Sequence, residues 1–378
     1  MILYRNIGGN NIAVEITKQN EVYLPQELLD KIDSDSDLTE KSLVKVLAKK
    51  NKFIPLLVRW ELLDKCTLHC PFCYIVGHSE EKTIRFNQMK PFLTELIEMG
   101  MIYCILTGGE PTLHPDFKEL YTFLKNNGCL VEVHTNATLI DSSIFQMFNE
   151  LKPFKIEISI YGLKNDIFNH NTNNTNKKIN SNRVVDNIIK LKNQGHNVVC
   201  KTPLNTYTIS DFNEIVDLCK AQDISFYSSN TIFNAYDGKN LQQYKVENTD
   251  KLNYDFTESA KDLYDCGENT ERKCFPCSSI DYSLSINSAF EITPCSGFKL
   301  PECQFKIIEN GAKKAIIERN RFIKKFRNRE IDGCESCIHN LECSICSVFA
   351  KPRYSNKGEI ISFYRCENYC KKTEIKNL

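Results

Sequence analysis

The stretch Cys66-Thr67-Leu68-His69-Cys70-Pro71-Phe72-Cys73-Tyr74 constrains this chain more than any other. Three cysteines at CxxxCxxC spacing follow the mostly apolar run 55–63. Three thiolates on one short loop can hold three corners of a cubic iron–sulfur cluster, and the absence of a fourth cysteine in the loop leaves one iron open to a non-protein ligand. A closed structural zinc site instead wants four protein ligands.

From residue 52 the chain alternates strand and helix. Strands are expected at 56–62, 101–107, 130–134, 154–160, 197–201 and 224–228, with helices at 87–98, 115–126, 142–151, 181–194 and 210–221. Such βα repeats imply a parallel sheet with outer helices. The cysteine loop then follows the first strand and Gly108-Gly109-Glu110 follows the second. In a barrel of this kind the loops after the strands' C-terminal ends build the active site. Two adjacent glycines let backbone approach a ligand closely, and a carboxylate there can accept bonds from an ammonium group.

CxxxCxxC with an aromatic before the third cysteine, followed by GGE after the second strand, resembles the radical S-adenosylmethionine (SAM) enzymes. The resemblance implies a partial (βα)6 barrel and a [4Fe–4S] cluster on Cys66, Cys70 and Cys73 that chelates SAM. It implies SAM contacts from Phe72 near the adenine, from Gly108, Gly109 and Glu110 at the amino group, and from Asn136 in a TNG-like stretch. Ser159, in an SIYG stretch, and Lys201 would lie near the SAM carboxylate. Ala137 stands where that family has the glycine of TNG. The implied chemistry is reductive cleavage of SAM to methionine and a 5′-deoxyadenosyl radical, which takes a hydrogen from an unreactive C–H bond. No residue is singled out as the catalytic acid or base.

Beyond 229 the βα pattern stops. A linker at 230–265 leads to a cysteine-dense region at 266–378, with a hairpin closing on Cys295, a basic helix at 312–326 and Cys334-x2-Cys337-x5-Cys343-x2-Cys346. This order resembles the SPASM extension of radical SAM peptide maturases, which implies two auxiliary [4Fe–4S] clusters. Cys277, Cys295 and Cys346, with Cys274 or Cys266, would serve one; Cys334, Cys337, Cys343 and Cys366 the other. The chain departs from that pattern at Phe290, where the family has glycine, and in its last x2 spacing; Cys303 and Cys370 have no assigned role. CxxC-x5-CxxC is also a zinc-site spacing.

Residues 1–51 read as a small α+β unit: strands at 2–5, 12–16 and 21–24, a Gly8-Gly9-Asn10-Asn11 turn, and helices at 26–32 and 38–49. It resembles the modules by which such maturases add a leader peptide to a sheet edge; a plain extension packed on the barrel is the other reading. The fold class expected is therefore α/β: a partial radical SAM barrel at 52–229, a small N-terminal α+β unit and a Cys-rich C-terminal auxiliary-cluster domain.

Composition narrows the partners. Lys+Arg and Asp+Glu both number 48, so no global charge favours nucleic acid or an anionic membrane. No run approaches the roughly 18 apolar residues of a spanning helix, and the N-terminus lacks the apolar core of a signal peptide. Eighteen cysteines in a chain of 378 residues with no sign of export point to metal or cluster ligation in a reducing cytoplasm rather than a disulfide framework. Isolated Cys104, Cys129, Cys200 and Cys219 read as buried apolar side chains. The Asn-rich segment 169–182 reads as a mobile surface loop.

The function this resemblance implies is a radical SAM maturase that forms a thioether or C–C cross-link in a ribosomally made precursor peptide, with a flavodoxin or ferredoxin as electron donor. Epimerisation, residue excision, formylglycine formation, and a non-catalytic iron–sulfur or zinc protein are the alternatives.

Overall fold

The structure is a computed structural model. It describes residues 2–7, 10–16, 22–23, 55, 57–75, 83–229, 232, 235, 239–246, 248–249, 252, 254, 283–296, 303–327, 351–354 and 360–364. The expected helices at 26–32 and 38–49 lie outside the described residues, as do Cys266, Cys274, Cys277, Cys334, Cys337, Cys343, Cys346, Cys366 and Cys370.

Three N-terminal strands, β1 (Ile2–Ile7), β2 (Asn10–Ile16) and β3 (Val22–Tyr23), form an antiparallel sheet in the order β1-β2-β3. Ile7 pairs with Asn10, so the connection is Gly8-Gly9 alone, and Asn10 and Asn11 belong to the second strand.

The main sheet has nine strands. Six come from the βα region: β4 (Leu57–Glu61), β5 (Tyr103–Thr107), β6 (Leu130–Thr135), β7 (Lys155–Ser159), β8 (Val198–Pro203) and β9 (Ser225–Ser229). They run parallel in chain order. Between them lie the helices α1 (Phe86–Glu98), α2 (Phe117–Asn126), α3 (Ser142–Glu150), α4 (Asn165–Thr172), α5 (Ser181–Asn193) and α6 (Phe212–Ala221).

Period-2 alternation divides the sheet into two chemically different faces. Val58, Trp60, Cys104, Leu106, Val131, Val133, Ile156, Ile158, Val198 and Cys200 are buried in one apolar cluster with the inward residues of the helices. The alternate positions carry Arg59, Glu61, Glu132, His134, Lys155, Glu157, Ser159 and Lys201. Parallel sheets ordinarily bury both faces in apolar contact, so the second face is the charged lining of an inner space. Cys200 and Lys201 fall on opposite faces for the same reason.

The segment 169–182 is ordered by its asparagines. It contributes the end of α4, then Asn173 in the left-handed region at φ 47° as the C-cap, then Asn180 as N-cap of α5, accepting from Arg183 N at 2.9 Å. The Asn174 amide donates to Ile179 O at 2.8 Å and Asn169 Oδ1 at 2.8 Å. Asparagine's short amide tolerates left-handed backbone and caps helix ends. A run that looks featureless is thus a succession of caps.

The hairpin beyond the barrel extends the same sheet. Its strands are β10 (Ser283–Ile286), β11 (Glu291–Thr293) and β12 (Phe305–Lys306). β10 pairs parallel to β4, and the order is β12-β11-β10-β4-β5-β6-β7-β8-β9. Helix α7 (Ile307–Arg327) follows and is broken at Gly311, where φ is 75°. The Glu95 carboxylate of α1 accepts from Ala312 N and Lys313 N at 3.1 Å each, capping the second part of α7. This is why the basic helix expected at 312–326 has its own beginning. A further antiparallel pair, β13 (Lys351–Tyr354) and β14 (Ile360–Tyr364), stands apart from this sheet.

Phe290, standing where a glycine was expected, has φ 61°. The turn needs a left-handed residue before β11, so the backbone requirement remains while the side chain does other work. Phe290 is buried, stacks on Trp60 at 5.2 Å and meets the Phe92 edge at 5.2 Å. Phe290→Ala is expected to cost about 3–5 kcal/mol in urea denaturation. At ordinary φ, glycine is about 0.5–1 kcal/mol worse than alanine; here Phe290→Gly should be the milder change by about 1 kcal/mol, because alanine keeps the left-handed strain.

Candidate functional site

The cysteine loop leaves β4 and is bonded at once to the loop after β5. Leu62 N donates to Thr107 O at 2.9 Å, Gly109 N to Leu63 O at 2.7 Å, and Glu110 N to Lys65 O at 2.9 Å. Both glycines are required by this contact. A Cβ at Gly108, where φ is 134°, would lie 2.5 Å from Leu63 O; one at Gly109 would lie 2.2 Å from Lys65 O. The backbone that Gly108 and Gly109 allow to come close is therefore that of the cysteine loop.

Glu110 is wholly buried. Its Oε1 accepts from the Thr112 amide at 3.2 Å, Thr112 Oγ1 at 2.5 Å and Thr135 Oγ1 at 2.7 Å, while Oε2 accepts from Asn136 N at 2.8 Å. Burial pushes its pKa above the ordinary carboxylate value, against the pull of these bonds. The carboxylate braces the loops after β5 and β6 against one another. Asn136, so positioned, donates its Nδ2 to Thr67 Oγ1 at 3.0 Å and Cys66 Sγ at 3.5 Å. Thr67 Oγ1 also lies 2.8 Å from Thr138 Oγ1. Ala137, buried beside them at φ 57°, accepts the left-handed backbone that a glycine would adopt more readily. Farther along the loop, His69 N donates to Thr172 O at the end of α4 at 2.9 Å.

Cys66, Cys70 and Cys73 are half-buried and unbridged. Burial, then the neighbouring Glu110 charge, pushes the Cys66 thiol up to about 12; burial lifts Cys73 to about 11. Cys70 is raised by burial and by its proximity to the other two thiols. Three thiols with no fourth cysteine in the loop suit the corners of a cluster better than a closed single-ion site. The Leu68 amide and the Asn136 Nδ2 both point at Cys66 Sγ at 3.5 Å, the N–H···S contacts that tune thiolate-bound clusters. The donor set fits a [4Fe–4S] cluster on these three cysteines.

The other expected SAM contacts surround this loop. Phe72 is buried, with ring centroids 5.8 Å from Tyr161 and 6.0 Å from Tyr207. Tyr207 stacks on His170 at 5.1 Å. The Tyr161 hydroxyl is hydrogen-bonded with Ser159, so part of that serine's capacity is already used. Lys201 Nζ lies 3.3 Å from Glu157 Oε1 and 5.2 Å from the Tyr227 ring centre. Cys295 ends the β11 region half-buried, and Cys303 is fully buried; the remaining expected cluster cysteines fall outside the described residues.

Sequence reasoning passed over the lumen-facing charges. Glu132, His134 and Glu157 bring their ligand-type atoms within 4.8 Å. Lys155 Nζ is 3.1 Å from Glu132 Oε1, the Tyr103 hydroxyl donates to Glu132 Oε2, and half-buried Arg59 interacts electrostatically with both glutamates. Their signal was present: Leu-Val-Glu-Val-His-Thr and Lys-Ile-Glu-Ile-Ser alternate apolar with charged residues in strands of a parallel sheet.

Residues 60–219 match the model of the Radical SAM superfamily. The Fe-coproporphyrin III synthase of Methanosarcina barkeri is 29% identical over 120 residues, 30% of this chain and 29% of that protein. The Bacillus subtilis antilisterial bacteriocin subtilosin biosynthesis protein AlbA is 32% identical over 121 residues, 32% of this chain and 26% of its own. The chain thus spans less than a third of the length of these curated relatives. Streptococcus suis SuiB bound to S-adenosylmethionine shares the fold at a TM-score of 0.61 and 17% identity, over 91% of this chain and 93% of that one.

Two outcomes test this geometry. Gly109→Ala should bind about four fewer irons per reconstituted chain, as Cys66→Ser should, because a cubic cluster carries about four irons and the added methyl displaces Lys65. Glu132 and Glu157 both have pKa values below the ordinary carboxylate range: burial raises them, and the nearby His134 with Lys155 or Lys201 outweighs it. Depressed folded values add stability above the unfolded value of about 4.3 and lose it as pH falls below. Glu157→Gln should therefore flatten the acid limb of a stability-against-pH curve.

Proposed function

We propose that the chain is a radical SAM maturase of a ribosomally made peptide. The observation that carries this is the cysteine loop itself: three half-buried thiols at the C-terminal mouth of a parallel barrel, pinned by Gly109 and Glu110 and touched by Asn136. When bound there, a [4Fe–4S] cluster and SAM supply an adenosyl radical able to take hydrogen from an unreactive C–H bond. Cys66, Cys70 and Cys73 would hold the cluster. Phe72 and Tyr161 would wall the cofactor space, with Asn136, Ser159 and Lys201 at its rim. Glu110 acts chiefly by holding the loops that surround it.

The peptide reading draws support from the relatives. AlbA is named for subtilosin biosynthesis, other matches are a PqqA peptide cyclase and the mycofactocin maturase MftC, and SuiB has been solved bound to the precursor peptide SuiA. The Cys-rich region at 266–378 is assigned to two auxiliary [4Fe–4S] clusters, and the three-stranded N-terminal sheet to a leader peptide, which it would take on a strand edge. The bond formed is assigned as a thioether or C–C cross-link, with a flavodoxin or ferredoxin supplying electrons.

Anaerobically reconstituted protein with SAM and dithionite should produce 5′-deoxyadenosine, and should hold roughly twelve irons per chain if three four-iron clusters are present. With the synthetic peptide encoded by a short cysteine-containing reading frame beside the gene, mass spectrometry should show a product lighter by two hydrogens. Absence of 5′-deoxyadenosine overturns the enzyme reading.

A further inference from the structure

The lumenal face carries a second chemical centre that the cofactor loops do not use. His134 Nε2 lies 2.5 Å from Glu132 Oε1 and 3.3 Å from Glu157 Oε2. Its Nδ1 bonds to no described residue, and the side chain keeps 13% of its surface exposed. A carboxylate on one ring nitrogen holds the N–H there and leaves the lone pair on the other. The available lone pair is therefore on Nδ1. His134 also precedes Asn136 by two residues, a strand advance of roughly 7 Å, and the Asn136 amide reaches Cys66 Sγ at 3.5 Å. The imidazole thus sits one layer beneath the cysteine loop.

The same three side chains resemble a ligand set for a divalent ion, but their surroundings disfavour one. Lys155 lies on Glu132 at 3.1 Å and Lys201 on Glu157 at 3.3 Å, and the Arg59 charge acts on both glutamates. The two lysines already neutralise the two carboxylates, and a dication would meet them at short range.

We propose that His134 is the general base of this site and that its substrate group is a cysteine thiol of the peptide. This rests on the peptide-maturase reading above and names the proton acceptor that reading lacks. In the step, the peptide S–H bond breaks, its electron pair stays on sulfur, and the proton forms an N–H bond at Nδ1. Glu132 and Glu157 flank the resulting imidazolium. The choice of thiol follows from acidity. A thiol is acidic enough to give its proton to a positioned imidazole, whereas a peptide amide N–H is far too weak an acid. Arg59 and Glu61 on β4, Tyr103 on β5, Glu132 on β6, Lys155 and Glu157 on β7, Lys201 on β8 and Tyr227 on β9 are the other ionisable groups around this face.

The test uses the full reconstituted chain, SAM, dithionite and a synthetic cysteine-containing precursor peptide. His134→Gln keeps a hydrogen-bond donor for Glu132 but removes the base, and cross-linking should fall by roughly 100-fold or more. His134→Ala opens space at the same position, and added imidazole should restore part of its lost rate, a rescue that a purely structural role would not show. Iron content of both variants checks that the fold and cluster survive. Cross-linking by His134→Gln at the unaltered rate overturns the assignment. So does one Zn²⁺ bound per cluster-free chain and lost in that variant. An unaltered chain that makes no 5′-deoxyadenosine overturns the enzyme reading and this inference together; a chain that makes it, yet is indifferent to His134, overturns this inference alone.

Discussion

The site depends on a few backbone hydrogen bonds between two adjacent barrel loops. Gly109 N and Glu110 N donate to Leu63 O and Lys65 O, at 2.7 and 2.9 Å, immediately before Cys66. A three-cysteine loop has little regular structure of its own, and three thiolates can hold a cluster only if their spacing is set before iron arrives. The neighbouring loop sets it by direct contact with the chain. That contact has no room for a β-carbon, so the glycine pair is the steric condition for the loop's position. Glu110 then passes the constraint on, through Thr135 and Asn136, to the loop after β6 and back to Cys66.

The sheet supports this mouth by dividing its two faces between stability and chemistry. The outward face is continuous apolar core, and the hairpin joins it through the Trp60–Phe290 stack and through buried Arg319, whose guanidinium donates to Ser283 O and Pro294 O at 3.0 and 3.2 Å. Pro294 immediately precedes Cys295, so the position of that cysteine is tied to the barrel's first strand. On the inward face, burying Glu132 and Glu157 would be costly if they stood alone. Tyr103, His134, Lys155, Lys201 and Arg59 offset that cost with hydrogen bonds and opposite charge. A buried, charge-balanced array carries chemical potential that an apolar lumen of the same strands would lack.

Much of this was legible in the chain. Strand and helix order followed from hydrophobic period, and the placement of CxxxCxxC and GGE after the first two strands followed from that order. Isolated Cys104, Cys129, Cys200 and Cys219 are buried, as residues of their type in strands and helices usually are. Other features needed contacts between distant segments. The glycine pair also clamps the cysteine loop, a contact its spacing alone does not reveal. Phe290 looked like a departure from a turn rule and keeps the turn's positive φ while filling the core. The asparagine run looked like a mobile loop because composition does not reveal which amide caps which helix.

By itself, the sequence determined the order of elements, the alternation that gives the sheet two faces and the three thiols that mark the cofactor loop. These are local properties, set by side-chain period and spacing along one segment. Only the tertiary structure decided what Glu110 braces, which glycine meets which carbonyl, and that ionisable side chains from six different strands converge on one inner face around His134. The physical reason is that the functional distances are through-space separations between segments 25 to 70 residues apart. Strand register and loop packing set those separations, and no spacing within a motif records them.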